Sequence, residues 1–324
     1  MYSMKEIGGF IELDTYMLPM LHEDAIKLNS ARNCLLFLIR IRKIKKILLP
    51  KFLCDSVMEV CKKENVEIRY YSINYEFIPQ NIALSEDEWF YFVNYYGQIS
   101  NEFITKLKEK YDRIIVDNVQ AFYQKPVSNV DTIYTCRKFF GVPDGAFLYA
   151  NIDDMGINYL NSISQDVSNI RMSHLLGRFE GTANQYYSEY VKAEHDYKDM
   201  PLRKMSKLTY NLLHGIDYLD IKERRKRNYE IIHREFSGIN KLDLLIPEGA
   251  FMYPLYIVNG YEIREKLQKR KIYIPTLWPD VFEICTKDEV EYEYANNILP
   301  LPVDQRYNEN DMNYIINEVS KCIC

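Results

Sequence analysis

Apolar, strand-like runs alternate with helix-like stretches from Leu28 to Tyr149, which predicts an α/β fold built on a mostly parallel central sheet flanked by helices. Two further observations complete the expectation. Beyond Asn151 the pattern changes to long, charged, apolar-periodic stretches, and from Leu244 onward it returns to short strands and helices, as in a smaller C-terminal α/β unit. At roughly 150 residues per domain, 324 residues suggest about two units. The expected strands of the first unit are residues 47–49, 66–71, 89–95, 113–116, 132–135 and 146–149. Residues 33–41, 55–63 and 101–110 read as helices between them. Residues 170–196 and 205–236 read as two long helices, with Arg203, Lys204, Lys207, Lys222 and the run 223–227 on a solvated face. The remainder offers a strand at 251–258, a helix at 261–270, a strand at 271–274 and a final helix at 309–322.

Composition narrows the function classes. With 47% hydrophobic residues the chain can close a large core, so intrinsic disorder is excluded. Its 41 basic against 46 acidic residues leave a net charge of −5, which argues against a nucleic-acid partner and for a small ligand. Cys34, Cys54, Cys61, Cys136, Cys285, Cys322 and Cys324 form no Cys-x-x-Cys pair, so reduced thiols in the cytoplasm are expected rather than a disulfide framework or a zinc site. Glu6, Glu12 and Asp14 interrupt the start of the chain, unlike a signal peptide. The longest apolar run, residues 34–39, is far short of the ~18 residues of a membrane span, so no membrane partner is expected. His22, His174, His195, His214 and His233 lack metal-ligand spacing, and no metal centre is expected. Neither a Gly-x-Gly-x-x-Gly after a strand nor a Walker lysine motif is present.

Three segments carry candidate chemistry. The run 113–117 ends in Asp117, and ligands of open parallel sheets bind at the carboxyl ends of strands. A shielded carboxylate there can keep a cationic ring nitrogen protonated, although the same residue can also simply turn the chain. Lys138 follows the next short strand and is flanked by Gly141 and Asp144-Gly145. A lysine in such a setting can hold an aldehyde cofactor once its amine is deprotonated. Finally, Asn29-Ser30-Ala31-Arg32 precedes a helix whose free N–H groups suit a phosphate, with a hydroxyl from Ser30 and charge from Arg32. An ordinary N-cap uses the same residue types.

Taken in order, Ser30-Ala31-Arg32, Leu48-Leu49-Pro50 with Lys51-Phe52-Leu53-Cys54, Tyr95-Tyr96-Gly97-Gln98, Val116-Asp117-Asn118-Val119-Gln120-Ala121, Arg137-Lys138 with Asp144-Gly145-Ala146, Lys204-Met205-Ser206 and Ile298-Leu299-Pro300-Leu301-Pro302 resemble the DegT/DnrJ/EryC1/StrS aminotransferases. The resemblance covers most of the chain. It implies a fold type I aminotransferase that uses pyridoxal 5′-phosphate, forms a homodimer, and aminates a nucleotide-linked keto sugar with glutamate or glutamine as donor, in surface-polysaccharide or deoxyamino-sugar biosynthesis. It further implies a large cofactor-binding domain over residues 1–200 and a small domain with its linking helix over 201–324.

Carried onto this sequence, the resemblance makes Lys138 the Schiff-base lysine and proton shuttle, Asp117 the partner of the pyridinium nitrogen and Gln120 a contact to the ring hydroxyl. Ser30, Ala31 and Arg32 fall at the phosphate turn, and Thr135 offers a further phosphate hydroxyl. Cys54 falls where relatives place an aromatic that stacks on the cofactor, so Phe52 is expected to supply stacking instead. Leu202 replaces an Asn that reaches the neighbouring subunit's cofactor, and the stretch from Asp117 to Lys138 is short. These departures leave two alternatives open: a catalytically silent relative that binds a sugar nucleotide or a protein partner, and a pyridoxal-phosphate enzyme of another reaction type. Relatives that dehydrate carry His in place of Lys138, which argues against that branch.

Overall fold

The computed structural model describes residues 7–323. Seven strands build its main sheet: β1 (Ile26–Leu28), β2 (Lys46–Pro50), β3 (Glu67–Tyr71), β4 (Glu88–Val93), β5 (Ile114–Asp117), β6 (Asp131–Thr135) and β7 (Ala146–Tyr149). Their order is β1-β7-β6-β5-β4-β2-β3. The neighbours from β3 to β6 run parallel, whereas β7 is antiparallel to β6, and β1 to β7. Every residue of β5 and β6 is buried, as expected for central strands covered on both faces. Helices α1 (Ala31–Arg42), α2 (Asp55–Lys63) and α3 (Asn101–Lys110) make the crossovers, and each lies within two residues of its sequence expectation. Parallel strands put their carboxyl ends on one edge, so the residues after β2, β4, β5 and β6 converge there.

The middle of the chain departs from the expected pair of long helices. After α4 (Asp154–Ser162), residues 170–196 divide into α5 (Ser173–Glu180) and α6 (Tyr187–Lys198). Gly181 leaves the helical region with φ −136°, and the Thr182 N–H then bonds the Gln185 side chain instead of continuing the helix. Residues 205–236 likewise divide, into α7 (Lys207–Leu213) and α8 (Tyr218–Phe236). Gly215 lies in the break, and Asp217 caps the new helix by accepting the Asp220 N–H.

Beyond α8, the hairpin β8 (Met252–Tyr256) and β9 (Ile298–Pro302) is antiparallel and encloses α9 (Gly260–Lys269), α10 (Val281–Ile284) and α11 (Val290–Asn297). Helix α12 (Glu309–Ile323) closes the chain. Residues 271–274 are not a strand, because Lys271 turns with φ 62°. Strand β9 escaped the sequence reading because Pro300 and Pro302 normally count against a strand. Cys34, Cys54, Cys61, Cys136, Cys285 and Cys322 are free thiols, and Cys324 lies outside the described residues, as does Glu6.

Candidate active site

Asp117 is the last residue of β5 and is 4% exposed. Its carboxylate accepts from the Tyr91 hydroxyl at 2.8 Å and from the Val119 N–H at 2.9 Å. The register pairs Tyr91 with Ile115 and Val93 with Asp117, so Tyr91 and Asp117 share one face of the sheet. Burial pushes the Asp117 carboxyl above its usual range, against the opposing pull of the Lys138 ammonium and the two hydrogen bonds. The group is thus a costly anion that a neighbouring cation would stabilise.

Lys138 stands in the turn between β6 and β7. That turn is closed locally: the Phe139 and Phe140 N–H groups both donate to the Cys136 carbonyl, at 3.0 and 2.9 Å. Lys138 is an exposed residue, while its amine end is turned in among protein atoms, whose surroundings govern its proton affinity. Burial depresses its pKa, Asp117 and Cys54 oppose that, and Arg137 adds to it. Among the described residues the Lys138 amine has no hydrogen-bond or ion-pair partner, and it lies 5.5 Å from the centre of the Phe251 ring. A lysine without such a partner, its pKa lowered by burial and in the field of a buried carboxylate, can attack a carbonyl once its amine is deprotonated.

The remaining expected residues surround this pair in different ways. The Gln120 side-chain oxygen accepts the Tyr96 N–H at 2.7 Å, which orients its amide nitrogen for donation to another acceptor. Tyr96 has φ 53° in the turn that offers this N–H. Ser30 caps α1, its oxygen accepting the Asn33 N–H at 3.2 Å, so the N-cap reading holds while its hydroxyl proton stays available. The Ala31 and Arg32 N–H groups are first-turn donors, and Arg32 makes no ion pair among the described residues. Thr135 ends β6 two residues beyond Ile133, the register partner of Asp117, and so faces the same side of the sheet. Cys54 precedes α2, with Sγ 3.3 Å from Asp55 Oδ1 and 3.2 Å from Ser56 Oγ; burial pushes its thiol pKa up while Lys138 pulls it down.

Phe52 does not meet the stacking expectation. It is 1% exposed and engaged in a cluster with Tyr95, Trp278 and Tyr294, with ring centres 5.4, 4.4 and 5.8 Å away. A cavity of about 210 Å³ runs along α1 and α2 past Ser30, Arg32, Ser56 and Lys63, but neither Asp117 nor Lys138 lines it. Asp144 accepts from the Ser206 N–H and from the Ser206 and Thr209 hydroxyls, tying the turn before β7 to the start of α7. Gly145 is required there: φ is +107°, and a Cβ would lie 2.9 Å from the Thr209 methyl. Elsewhere Cys285, Glu289 and Glu291 converge within 4.8 Å, but Glu289 pairs with Lys51 and Glu291 accepts the Ile73 N–H.

Sequence reasoning missed Tyr91, Phe251, Arg225 and Gln305. Tyr91 was within reach, since an alternating strand beside β5 puts a residue two before its end on the Asp117 face. The other three come from distant segments whose meeting no local pattern records.

No family model matches the sequence, and no curated protein matches it. Solved structures do. Sugar aminotransferase CalS13 from Micromonospora echinospora superposes with a TM-score of 0.62 at 14% identity, over 92% of this chain and 87% of that one. The DegT DnrJ EryC1 StrS aminotransferase from Brucella abortus gives 0.63 at 16%, over 92% and 85%. NtdA from Bacillus subtilis, with bound cofactor PMP, gives 0.68 at 12%, over 92% and 73%. This chain has the fold type I aminotransferase fold. Proteins that share the fold include the family that the motif order resembles. Within the aminotransferase fold, Asp117 occupies a strand end and Lys138 the turn after the following strand.

Proposed function

We propose that the chain is a pyridoxal-phosphate-dependent aminotransferase that moves an amino group from glutamate or glutamine to a nucleotide-linked keto sugar. The observation that carries this reading is the Lys138 amine, without a hydrogen-bond or ion-pair partner among the described residues, within electrostatic reach of the buried Asp117 carboxylate. The residues present fit the cofactor: a buried anion that lacks a cation of its own, an amide donor at Gln120, and first-turn N–H groups at α1. When bound, the cofactor supplies an electron sink for the donor carbon. Asp117 would hold a ring nitrogen protonated, and Tyr91 fixes the carboxylate that would do so. Gln120 would donate to the ring hydroxyl oxygen. The Ser30 hydroxyl, the Ala31 and Arg32 N–H groups and the Arg32 guanidinium would hold the phosphate, with Thr135 adding a hydroxyl from β6. Cys54 lies alongside. Lys138, its amine pKa depressed by burial, would take a proton from the donor carbon and deliver it to the cofactor carbon on the other side of the shared nitrogen.

The division into residues 1–200 and 201–324 belongs to the same proposal, since the hairpin β8–β9 falls entirely in the second part. A homodimer is supported by exposed apolar side chains such as Ile7, Phe10, Ile11, Ile170 and Phe179, which a second copy would cover. A cytoplasmic location is supported by the free thiols. Among the described residues, no helix is long and apolar enough to cross a membrane.

Purified protein should absorb in the visible range after addition of pyridoxal phosphate, and borohydride should leave a cofactor-derived mass on the peptide that contains Lys138. A specific observation favours the second reading, a silent binding relative: the Phe52 ring is enclosed and Cys54 cannot stack. A colourless protein with no labelled lysine would establish that rival.

A further inference from the structure

Arg225 of α8 is 1% exposed and has no carboxylate within ion-pair distance among the described residues. Buried cations ordinarily sit beside anions, so an arginine satisfied by neutral acceptors alone has a demanding geometry. Its Nη2 donates to the Phe139 carbonyl at 3.1 Å, its Nη1 to the Ala250 carbonyl at 2.9 Å, and its Nε to Gln305 Oε1 at 2.8 Å. The Gln305 amide donates in turn to the same Phe139 carbonyl, at 2.7 Å. The guanidinium also lies over the Phe139 ring, 4.7 Å from its centre.

Phe139 directly follows Lys138, and Ala250 directly precedes Phe251, the ring nearest the Lys138 amine. One side chain therefore grips both the turn that bears the lysine and the segment that walls it. We infer that Arg225 and Gln305 are positioning residues that clamp the Phe139 carbonyl and thereby set where the Lys138 amine stands relative to Asp117. The inference rests on Lys138 being the reactive amine, as proposed above. The turn's own backbone bonds, to the Cys136, Phe140 and Gly145 carbonyls, leave the Phe139 carbonyl without a local donor, and the clamp supplies two from the C-terminal part of the chain. Deep burial lowers the Arg225 pKa to about 10, still well above neutrality, so the clamp stays charged in ordinary conditions.

The test uses the full chain, wild type and two variants, Gln305→Leu and Arg225→Lys. Hydrogen exchange is followed on the peptide spanning residues 138–142, with a peptide from α1 as the reference for global opening. Competitive acylation across pH, read by peptide mass, gives the midpoint at which Lys138 becomes reactive. Expected in both variants is exchange at least tenfold faster in the turn, with the α1 peptide unchanged, and a Lys138 midpoint moved up towards that of an exposed lysine. Unchanged turn exchange and an unchanged midpoint in folded variants would overturn the clamp. If Arg225→Lys does not fold, Gln305→Leu decides alone, since it removes one donor to the Phe139 carbonyl and leaves the guanidinium in place. Failure of wild type to take up pyridoxal phosphate on Lys138 overturns the cofactor reading instead, and the clamp is still decided by the difference between variant and wild-type exchange.

Discussion

Asp117 and Lys138 feel each other's charge, yet they are held in opposite ways. The carboxylate ends a central strand and is fixed by its own surroundings, the Val119 N–H two residues on and the Tyr91 hydroxyl of the adjacent strand. The lysine sits in a turn whose next carbonyl is held from α8 and from the loop after β9. A strand end inherits its position from the sheet ladder, whereas a turn needs an outside grip. The acid side of the site should therefore tolerate change in the C-terminal half, and the amine side should not.

The largest effect expected is that of Lys138→Ala, which removes the amine altogether. Turnover should fall by about four orders of magnitude or to background, and borohydride should leave no cofactor mass on the chain. Asp117→Asn should come next, with a loss of roughly a hundredfold or more in kcat, because an amide cannot hold a ring nitrogen protonated. If the comparison above is right, its fold and its turn exchange stay those of the wild type.

A third measurement concerns the strands that carry the lysine turn. His22 packs 4.3 Å from the Tyr134 ring and its ring nitrogens face the Phe122 carbonyl and the Tyr149 hydroxyl, at 2.8 and 3.1 Å. Burial lowers its pKa from 6.5 to about 4. Between those values the unfolded chain binds a proton that the folded chain refuses, so stability falls as pH drops from about 6.5 to about 4 and then levels off. The loss amounts to about 3 kcal/mol at ~1.4 kcal/mol per unit. Chemical denaturation across that range should show it, and His22→Gln should flatten it. The smallest effect is that of Tyr91→Phe: deleting a hydrogen bond to a buried carboxylate costs about 1.5–3 kcal/mol, so kcat should drop roughly tenfold to a hundredfold. A loss of turn exchange protection in Tyr91→Phe would break the division between the two halves of the site.

Most of the parallel sheet was legible because its strands are continuous apolar runs with helices between them, and Asp117 was legible as the polar end of one such run. Lys138 drew attention through Gly141 and the Asp144-Gly145 turn, and the structure gives Gly145 a reason in its φ of +107°. What stayed hidden depends on distance along the chain. Strand β1 has only three residues, β9 is marked by prolines, and the long helices of the middle are broken by Gly181 and Gly215, which periodicity alone does not weigh. Arg225 lay inside a basic run read as a solvated face, while Arg224 and Arg227 in the same run are indeed exposed. Burial of one cation in such a run follows from which carbonyls meet it, and no local signal carries that.

The paired prolines of the small hairpin have a consequence for the molecule's behaviour in a crowded solution. Pro254 faces Pro300, so that position cannot be a bonded rung, and the alternation of an antiparallel ladder puts the rungs at Tyr253–Leu301 and Leu255–Leu299. The nitrogens of Pro300 and Pro302 then point outward from one margin and that of Pro254 from the other, where a new strand would look for N–H donors. A two-stranded sheet has nothing but margins, and these are blunted on both sides. The hairpin can stand as a separate two-stranded sheet without offering a template on which another chain could polymerise.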